Sequence, residues 1–365
     1  MNTRCDIERM SQAIQLARLG QYSTRPNPNV GCVITDAHNQ FIASGYHQRA
    51  GGAHAEIHAL TEAGSAAKGS TVYVTLEPCC HEGKTGPCTE ALIAAEVSRV
   101  VIAMQDPNPL VAGNGSAALR AAGIQVTENV LPELAAQLNQ GFIKRMAQGL
   151  PWVTLKMASS LDGRNALANG QSQWITSAEA RHDVHVMRAR YDAIMTGIGT
   201  VLADDPSLNV RDVEIAGLMQ PHRVVLDPDL KMPINAKMLT LPGNTLIVTT
   251  TGKNTQAFEA IEHCEVMQLD VTQHRFDLKQ LMQQLAAREI NSVMVEAGAV
   301  LMGGLVQQQC ADQIVHYLAP CYLGEGSRGL FDLGGLEHLD QAVRIQTTDI
   351  RNVGVDVRIS ALIEY

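Results

Sequence analysis

His54-Ala55-Glu56, then Glu77-Pro78-Cys79, then Cys88 is the run of this 365-residue chain whose residue types and order most clearly imply chemistry. One imidazole and two thiols form a zinc-binding donor set. Three protein ligands leave the fourth tetrahedral position open to water, as in a catalytic rather than a structural zinc. A metal so held lowers the pKa of water from about 15.7 towards 7. Glu56, two residues from His54 near a helix start, is placed to move that water's proton to a leaving group without binding the metal. Cys80 is a rival ligand, but adjacent cysteines seldom point into one tetrahedron, and a Cys79–Cys80 pair leaves Cys88 without a role. The spacing therefore favours His54, Cys79 and Cys88. Two other readings stand beside it. One is a structural zinc completed by a ligand such as His81, which gives His-x-Glu no purpose; the other is a redox group of Cys79, Cys80 and Cys88. Asn27, His47, His81 and Lys84 surround the motif as candidates for holding a substrate ring or phosphate, although Asn27 also suits a turn and Lys84 a solvated loop.

His-x-Glu followed by Pro-Cys resembles the signature of zinc deaminases, which replace an exocyclic amine of a nucleobase-like ring with oxygen. The eight residues between Cys79 and Cys88 depart from the commonest spacing of that signature, which is two.

Composition narrows the partners. With 45% hydrophobic and 18% charged residues the chain is ordinary globular protein, long enough for two cores. A formal net charge of -9 provides no general attraction to a phosphate backbone, so a small molecule is expected as substrate rather than nucleic acid. The first ten residues are polar and charged, and no stretch approaches the ~18 apolar residues of a membrane span, so a cytoplasmic protein with no membrane partner is expected. Eight cysteines in such a chain, three of them in one short loop, point to metal or redox chemistry rather than disulfides.

The elements that must position these residues alternate. Helical spacing from Asp6 to Gly20 precedes a hairpin of Val30–Ile34 and Phe41–Tyr46 around Asp36–Asn39. Helix-like Ala55–Ala63, Thr89–Glu96 and Ser116–Gly123 then alternate with strand-like Thr71–Leu76, Arg99–Met104 and Ile124–Val130, predicting an α/β sandwich with parallel strands. A helix over Pro132–Gln148 stops at Gly149-Leu150-Pro151, which places the domain boundary near residue 150, with domains 1–150 and 151–365. In the second half, strands are predicted at Trp152–Ala158, Tyr191–Gly197, Arg223–Asp227, Thr245–Thr250, Ser292–Glu296 and Ile314–Leu318. A helix is expected to start at Thr176-Ser177-Ala178-Glu179, read as a capping box with Thr176 as N-cap. That half has no Gly-x-Gly-x-x-Gly fingerprint, but two strand exits bear glycine, Thr196-Gly197-Ile198-Gly199-Thr200 and Glu296-Ala297-Gly298 through Gly304. Each suits a tight turn as well as a phosphate.

A more specific resemblance runs along the chain. Pro26-Asn27-Pro28-Asn29-Val30-Gly31, His54-Ala55-Glu56, the stretch Thr75 to Cys88 and Asp106-Pro107-Asn108-Pro109 look like the deaminase half of the bifunctional deaminase-reductases of riboflavin biosynthesis. Lys156 to Arg164, Gln173-Trp174-Ile175-Thr176, Ala203 to Leu208 and Val295-Glu296-Ala297-Gly298 look like their reductase half. Only the segment from about Asp212 to Glu289 is poor in such motifs. The extended Cys79–Cys88 loop is similar to that family's own zinc loop, although Cys80 stands where the family commonly has Ser.

The resemblance implies a cytidine-deaminase-like α/β/α sandwich followed by a dihydrofolate-reductase-like α/β domain, with Zn2+ and NADPH as cofactors and a homo-oligomeric assembly. It assigns zinc to His54, Cys79 and Cys88 and proton transfer to Glu56. Cofactor contacts fall to Ala158, Trp174, Thr200, Asp204, Gly298, Ala299, Val300, Leu301, Met302, Gly303 and Gly304, and substrate contacts to Ser172, Arg188, Leu208, Arg211 and Glu296. It implies deamination of a diaminopyrimidinone ribotide, then NADPH-dependent reduction of its ribosyl group to ribityl. Lys156, Asp204 or Glu296 could assist hydride transfer, and Arg188 and Arg211 could hold the 5'-phosphate bidentately. The rivals are a tRNA or free-nucleoside deaminase fused to an unrelated domain, and a non-catalytic zinc module.

Overall fold

The computed structural model describes residues 4–80, 86–109, 111–272 and 275–365. By contact the chain divides into two compact units, Met1–Gly149 with Ala216–Leu218, and Leu150–Ile215 with Met219–Tyr365.

In the first unit α1 (Arg4–Ala17) precedes β1 (Gly31–Thr35), β2 (Phe41–Tyr46), α2 (Ala55–Ala63), β3 (Thr71–Val74), α3 (Cys88–Ala94), β4 (Arg99–Ile102), α4 (Asn114–Ala121), β5 (Gln125–Thr127), α5 (Pro132–Leu138) and α6 (Gln140–Gln148). The described strands form one sheet in the order β2-β1-β3-β4-β5. Alternate residues of each strand enter opposite cores. Cys32, Ile34, Val72, Val74, Val100 and Ile102 join α2, α3 and α4 on one face, while Val33, Tyr73 and Val101 join Met10, Ala13 and Ile14 of α1 on the other. Burial on both faces explains why these strands read as continuous apolar runs.

The expected parallel pairing holds for β3, β4 and β5, whereas β1 runs antiparallel to β2, as their hairpin connection requires, and also to β3. Two glycines set how closely helices approach. A Cβ on Gly31 would lie 2.0 Å from the Ala13 carbonyl oxygen of α1, and one on Gly45 would lie 2.5 Å from the Ala55 carbonyl oxygen of α2. The single helix expected over 132–148 is two helices, broken at Asn139. The Asn139 side chain is committed elsewhere: its Oδ1 accepts from the Asn29 amide at 2.7 Å and its Nδ2 donates to the Asn29 carbonyl at 2.9 Å.

The second unit contains β6 (Trp152–Ser160), β7 (Arg164–Ala166), α7 (Ala178–Arg188), β8 (Ala193–Gly197), α8 (Ile198–Asp204), β9 (His222–Leu226), β10 (Thr245–Thr250), α9 (Gln256–Glu259) and β11 (Cys264–Leu269). It continues with β12 (Val271–Thr272), β13 (Arg275–Phe276), α10 (Leu278–Ala287), β14 (Ser292–Val295), α11 (Ala299–Gln307), β15 (Gln313–Ala319), β16 (Arg328–Gly329), β17 (Arg344–Val353) and β18 (Asp356–Glu364). Nine described strands form its main sheet in the order β11-β10-β9-β8-β14-β6-β15-β18-β17, parallel from β11 to β15 and antiparallel at β18 and β17. The α7 N-cap is Ser177, not Thr176: the Ser177 hydroxyl accepts from the Ala180 amide at 3.2 Å, and the Thr176 carbonyl accepts instead from Arg181. The β17–β18 hairpin was not anticipated, because β17 is almost wholly exposed and carries no apolar alternation. Among the described residues no helix is long and apolar enough to cross a membrane.

Candidate zinc-deaminase and reductase sites

The first unit brings its three metal-ligand candidates to one point. His54 is the N-cap of α2 in an extended conformation, Cys88 is the first residue of α3, and Cys79 lies on the loop after β3. His54 Nδ1 is 3.1 Å from Cys88 Sγ and 3.6 Å from Cys79 Sγ, and all three donor atoms lie within 4.8 Å of one another. Zinc bonds of ~2.0 Å to nitrogen and ~2.3 Å to sulfur at tetrahedral angles separate donors by roughly 3.5–3.8 Å, so the trio fits that ion. The Cys88 amide donates to Cys79 Sγ at 3.3 Å. A hydrogen bond from the Cys88 thiol, aided by His54, draws the Cys79 thiol well below its ordinary pKa, and the shared proton pushes Cys88 up. Among the described residues no two cysteines form a disulfide. Glu56, on the first turn of α2, is 4% exposed, and burial pushes its carboxyl pKa up; it is hydrogen-bonded to the Cys88 thiol.

Around this centre, buried His47 packs edge-on to the His54 ring, with centroids 5.5 Å apart. Its Nδ1 donates to the Ala53 carbonyl at 3.0 Å and its Nε2 accepts from Asn27 Nδ2 at 3.1 Å, which sets a neutral tautomer; burial lowers its pKa. Asn27 and His47 thus act together. His81 and Lys84 lie outside the described residues.

Glu77 is the residue that sequence reasoning missed. Its buried carboxylate accepts from the amides of Asp106 at 3.2 Å, Gly113 at 3.0 Å and Ser116 at 3.0 Å, stitching the Pro78-Cys79 turn to the Asp106–Gly113 segment and to the first turn of α4. A Cβ on Gly115 would come 2.2 Å from the Pro78 carbonyl oxygen, so the contact admits only glycine. A carboxylate directly before Pro-Cys was the available signal.

The second unit holds a cavity of about 840 Å³. Its wall includes Ala158, Ser172, Trp174, Thr200, Asp204, Glu296, Gly298, Ala299, Val300, Leu301, Met302 and Gly304. The two glycine-bearing strand exits meet there because β8 and β14 are parallel neighbours, so α8 and α11 start side by side. Gly303 faces elsewhere: its Cβ position lies 1.9 Å from the Asp332 carbonyl oxygen.

Arg188 is not part of that wall but grips it, donating through Nε to Glu296 Oε1 at 2.6 Å and through Nη2 to Oε2 at 2.9 Å. Lys156 Nζ stands 3.8 Å from Glu296 Oε2. Burial raises the Glu296 carboxyl, but the Arg188 and Lys156 charges outweigh it and hold the pKa at about 2; burial lowers that of Lys156. Arg188 and Arg211 converge on Asn209, the first on its carbonyl and the second on its Oδ1, both at 3.1 Å. The Leu208 side chain is buried in the core, so only its backbone is available to a ligand.

Residues 151–359 match the family model described as the RibD C-terminal domain, and residues 3–104 match that of the cytidine and deoxycytidylate deaminase zinc-binding region. The riboflavin biosynthesis protein RibD of Escherichia coli strain K12 is 47% identical over 360 residues, 95% of this chain and 96% of the relative. Its namesake in Haemophilus influenzae is 43% identical over 96% of this chain and 95% of its own. The solved structure of Acinetobacter baumannii RibD (form 1) superposes with a TM-score of 0.92 at 44% identity, covering 99% of each chain. That of the Thermotoga maritima diaminohydroxyphosphoribosylaminopyrimidine deaminase/5-amino-6-(5-phosphoribosylamino)uracil reductase gives 0.87 at 32% identity over 99% of each.

Fold and sites define a two-domain enzyme, a cytidine-deaminase-like zinc domain followed by a dihydrofolate-reductase-like domain. The chain belongs to the RibD family of bifunctional riboflavin-biosynthesis enzymes. The match over residues 151–359 sets aside a deaminase fused to an unrelated domain.

Proposed function

We propose that the first domain hydrolyses the 2-amino group of 2,5-diamino-6-(5-phosphoribosylamino)pyrimidin-4-one. The second then reduces the ribosyl group to ribityl with NADPH, giving 5-amino-6-(5-phosphoribitylamino)uracil. The observation that carries the first half is the convergence of His54, Cys79 and Cys88 beside buried Glu56. Zinc bound by those three residues supplies the Lewis acidity that makes water a nucleophile near neutral pH. Glu56 takes a proton from that water and returns it to the departing amine, which leaves as ammonia while oxygen takes its place on the ring. Asn27 and His47, locked to each other, bind and orient the pyrimidine.

NADPH, the reductant of this family's second domain, supplies the hydride when bound along Ala158, Trp174, Thr200, Asp204 and the start of α11 from Gly298 to Met302 with Gly304. The amides at the start of α11 suit its phosphates. Glu296, kept ionised by Arg188 and Lys156, accepts hydrogen bonds from ribose hydroxyls. A proton must reach the ring oxygen as hydride reaches the sugar carbon, and Lys156 is the cation in this wall able to give one. Ser172, Arg211 and the Leu208 backbone complete the substrate contacts. Domains of 1–150 and 151–365, assembly as a homo-oligomer and a cytoplasmic location, whose reducing conditions suit zinc-binding thiols, belong to the same proposal.

Ammonia release from the diaminopyrimidinone ribotide, followed by NADPH oxidation on adding the reductant, tests the reading. Ammonia from cytidine alone, with none from the ribotide, refutes it.

A further inference from the structure

Trp174 is an unusual wall residue. It is 68% exposed and sits in a segment, 167–177, with neither helix nor strand, where an indole would ordinarily sample several rotamers. Arg181, half-buried on the first turns of α7, removes that freedom. Its guanidinium carbon stands 4.5 Å from the ring centroid, over the indole face, and its Nη1 donates to the Thr176 carbonyl at 2.7 Å. One guanidinium thus contacts both the indole and the backbone two residues further along, with a fixed fork of donors that a lysine ammonium lacks. The segment's end is pinned independently, because the Ser177 amide donates to Asp356 Oδ2 at 2.8 Å. What Arg181 adds is the orientation of one ring. Both residues line the 840 Å³ cavity.

We propose that Arg181 is a positioning residue for NADPH: it holds the Trp174 indole where the cofactor packs against it, setting cofactor affinity rather than the rate of hydride transfer. The inference rests on the reading that Trp174 touches the cofactor. Arg181 acts through the ring, so its contribution exists only while the ring is there.

The experiment uses the full chain. NADPH affinity is read by isothermal titration calorimetry, and KM and kcat from reduction of the deaminated ribotide. In Arg181→Met, which keeps the stem and loses the cation, Kd and KM for NADPH rise about 3- to 30-fold, the span of a cation–π contact from exposed to desolvated settings. The kcat at saturating NADPH moves by less than about twofold, a split that general loosening of the fold would not produce. Arg181→Lys falls between Met and the parent. Trp174→Ala weakens NADPH binding as well, and the double variant Arg181→Met/Trp174→Ala binds no more weakly than Trp174→Ala alone. Additive losses in the double variant would overturn the proposal, because Arg181 would then act on the cofactor directly. A weakened Trp174→Ala beside an Arg181→Met of parental affinity sinks the positioning role and leaves the cofactor reading intact. Parental affinity in Trp174→Ala removes the cofactor reading itself, and the proposal with it. Thermal unfolding of each variant separates these outcomes from misfolding.

Discussion

The two sites are built in opposite ways. The metal-ligand candidates and Glu56 come from 35 consecutive positions, 54 to 88, placed by the starts of α2 and α3 and the loop after β3. The reductase cavity gathers its wall from positions 156 to 330, and its central ion pair joins Arg188 and Glu296, 108 residues apart. Proton chemistry at a metal needs a few donor atoms at fixed distances, which one turn and two helix starts can supply. Enclosing a dinucleotide and a sugar needs area, which only several strand exits of one sheet provide. The first site should therefore fail abruptly when one atom is removed, and the second by degrees.

Removing a ligand is the harshest test. Cys88→Ala is expected to lose zinc, measured by elemental analysis, together with ammonia release, while Cys80→Ser keeps both. Full zinc occupancy in Cys88→Ala would break the trio.

Next in size, Glu56→Gln should retain zinc yet lower deamination by at least about 100-fold, the lower range for a general acid-base residue. It should still oxidise NADPH when given the deaminated ribotide. Glu296→Ala should do the reverse, slowing reduction and sparing ammonia release. It should also lower the unfolding temperature, because Arg188, with only 11% of its side chain exposed, loses its carboxylate partner. Loss of both activities in either well-folded variant would dissolve the contrast between the sites.

A milder effect is expected at Glu77. Glutamine in its place offers one acceptor oxygen to the three amides at 106, 113 and 116, and presents an NH2 group to the remainder. Hydrogen bonds to a charged acceptor contribute about 1.5–3 kcal/mol each, so unfolding should shift down by several degrees and deamination should slow by about tenfold with zinc retained. Parental stability in Glu77→Gln would show the stitching to be dispensable.

The smallest effect concerns pH. Burial lowers the His316 pKa to about 4, below the ~6.5 of an unfolded chain. Its neutral form, hydrogen-bonded to Ser159 Oγ at 2.8 Å, is favoured by folding, so the unfolded state takes up more protons between those values. Stability from this residue is fully present above pH ~6.5 and is lost as pH falls towards 4. His185, which is buried and likewise lowered to about 4, adds to the same window. His316→Gln should flatten the fall in unfolding temperature between pH 7 and 5; an unchanged slope would remove His316 as its source.

The compact site was legible in sequence because its chemistry dictates residue types. His54, Glu56, Cys79 and Cys88 have few substitutes, and α2 begins and ends at the expected residues, Ala55 and Ala63. Glu77 was not legible in the same way, since its partners are backbone amides 29 to 39 residues downstream, which leave no mark on side-chain identity. The break at Asn139 was hidden for a related reason: the helical pattern continues through it, and only the distant Asn29 backbone claims its side chain. In the larger unit, residue types at Arg188, Glu296 and Trp174 showed where charged or aromatic groups lie, but their pairings arise from strand order. Exposed β17 had no apolar period to betray it, whereas β18 alternates Val357, Ile359, Ala361 and Ile363, a strand signal that sequence reasoning passed over.

Strand order also sets a timetable. β6, made at residues 152–160, lies between β14 and β15, so it receives its neighbours only when residues 292–295 and 313–319 have been synthesised. At ribosomal speeds that wait is on the order of ten seconds, during which a strongly apolar segment has no permanent company. The smaller sheet closes all its pairings between residues 31 and 127, before β6 exists. A newborn chain therefore assembles the groups for hydrolysis first and those for reduction last, the same order in which an intermediate would need them.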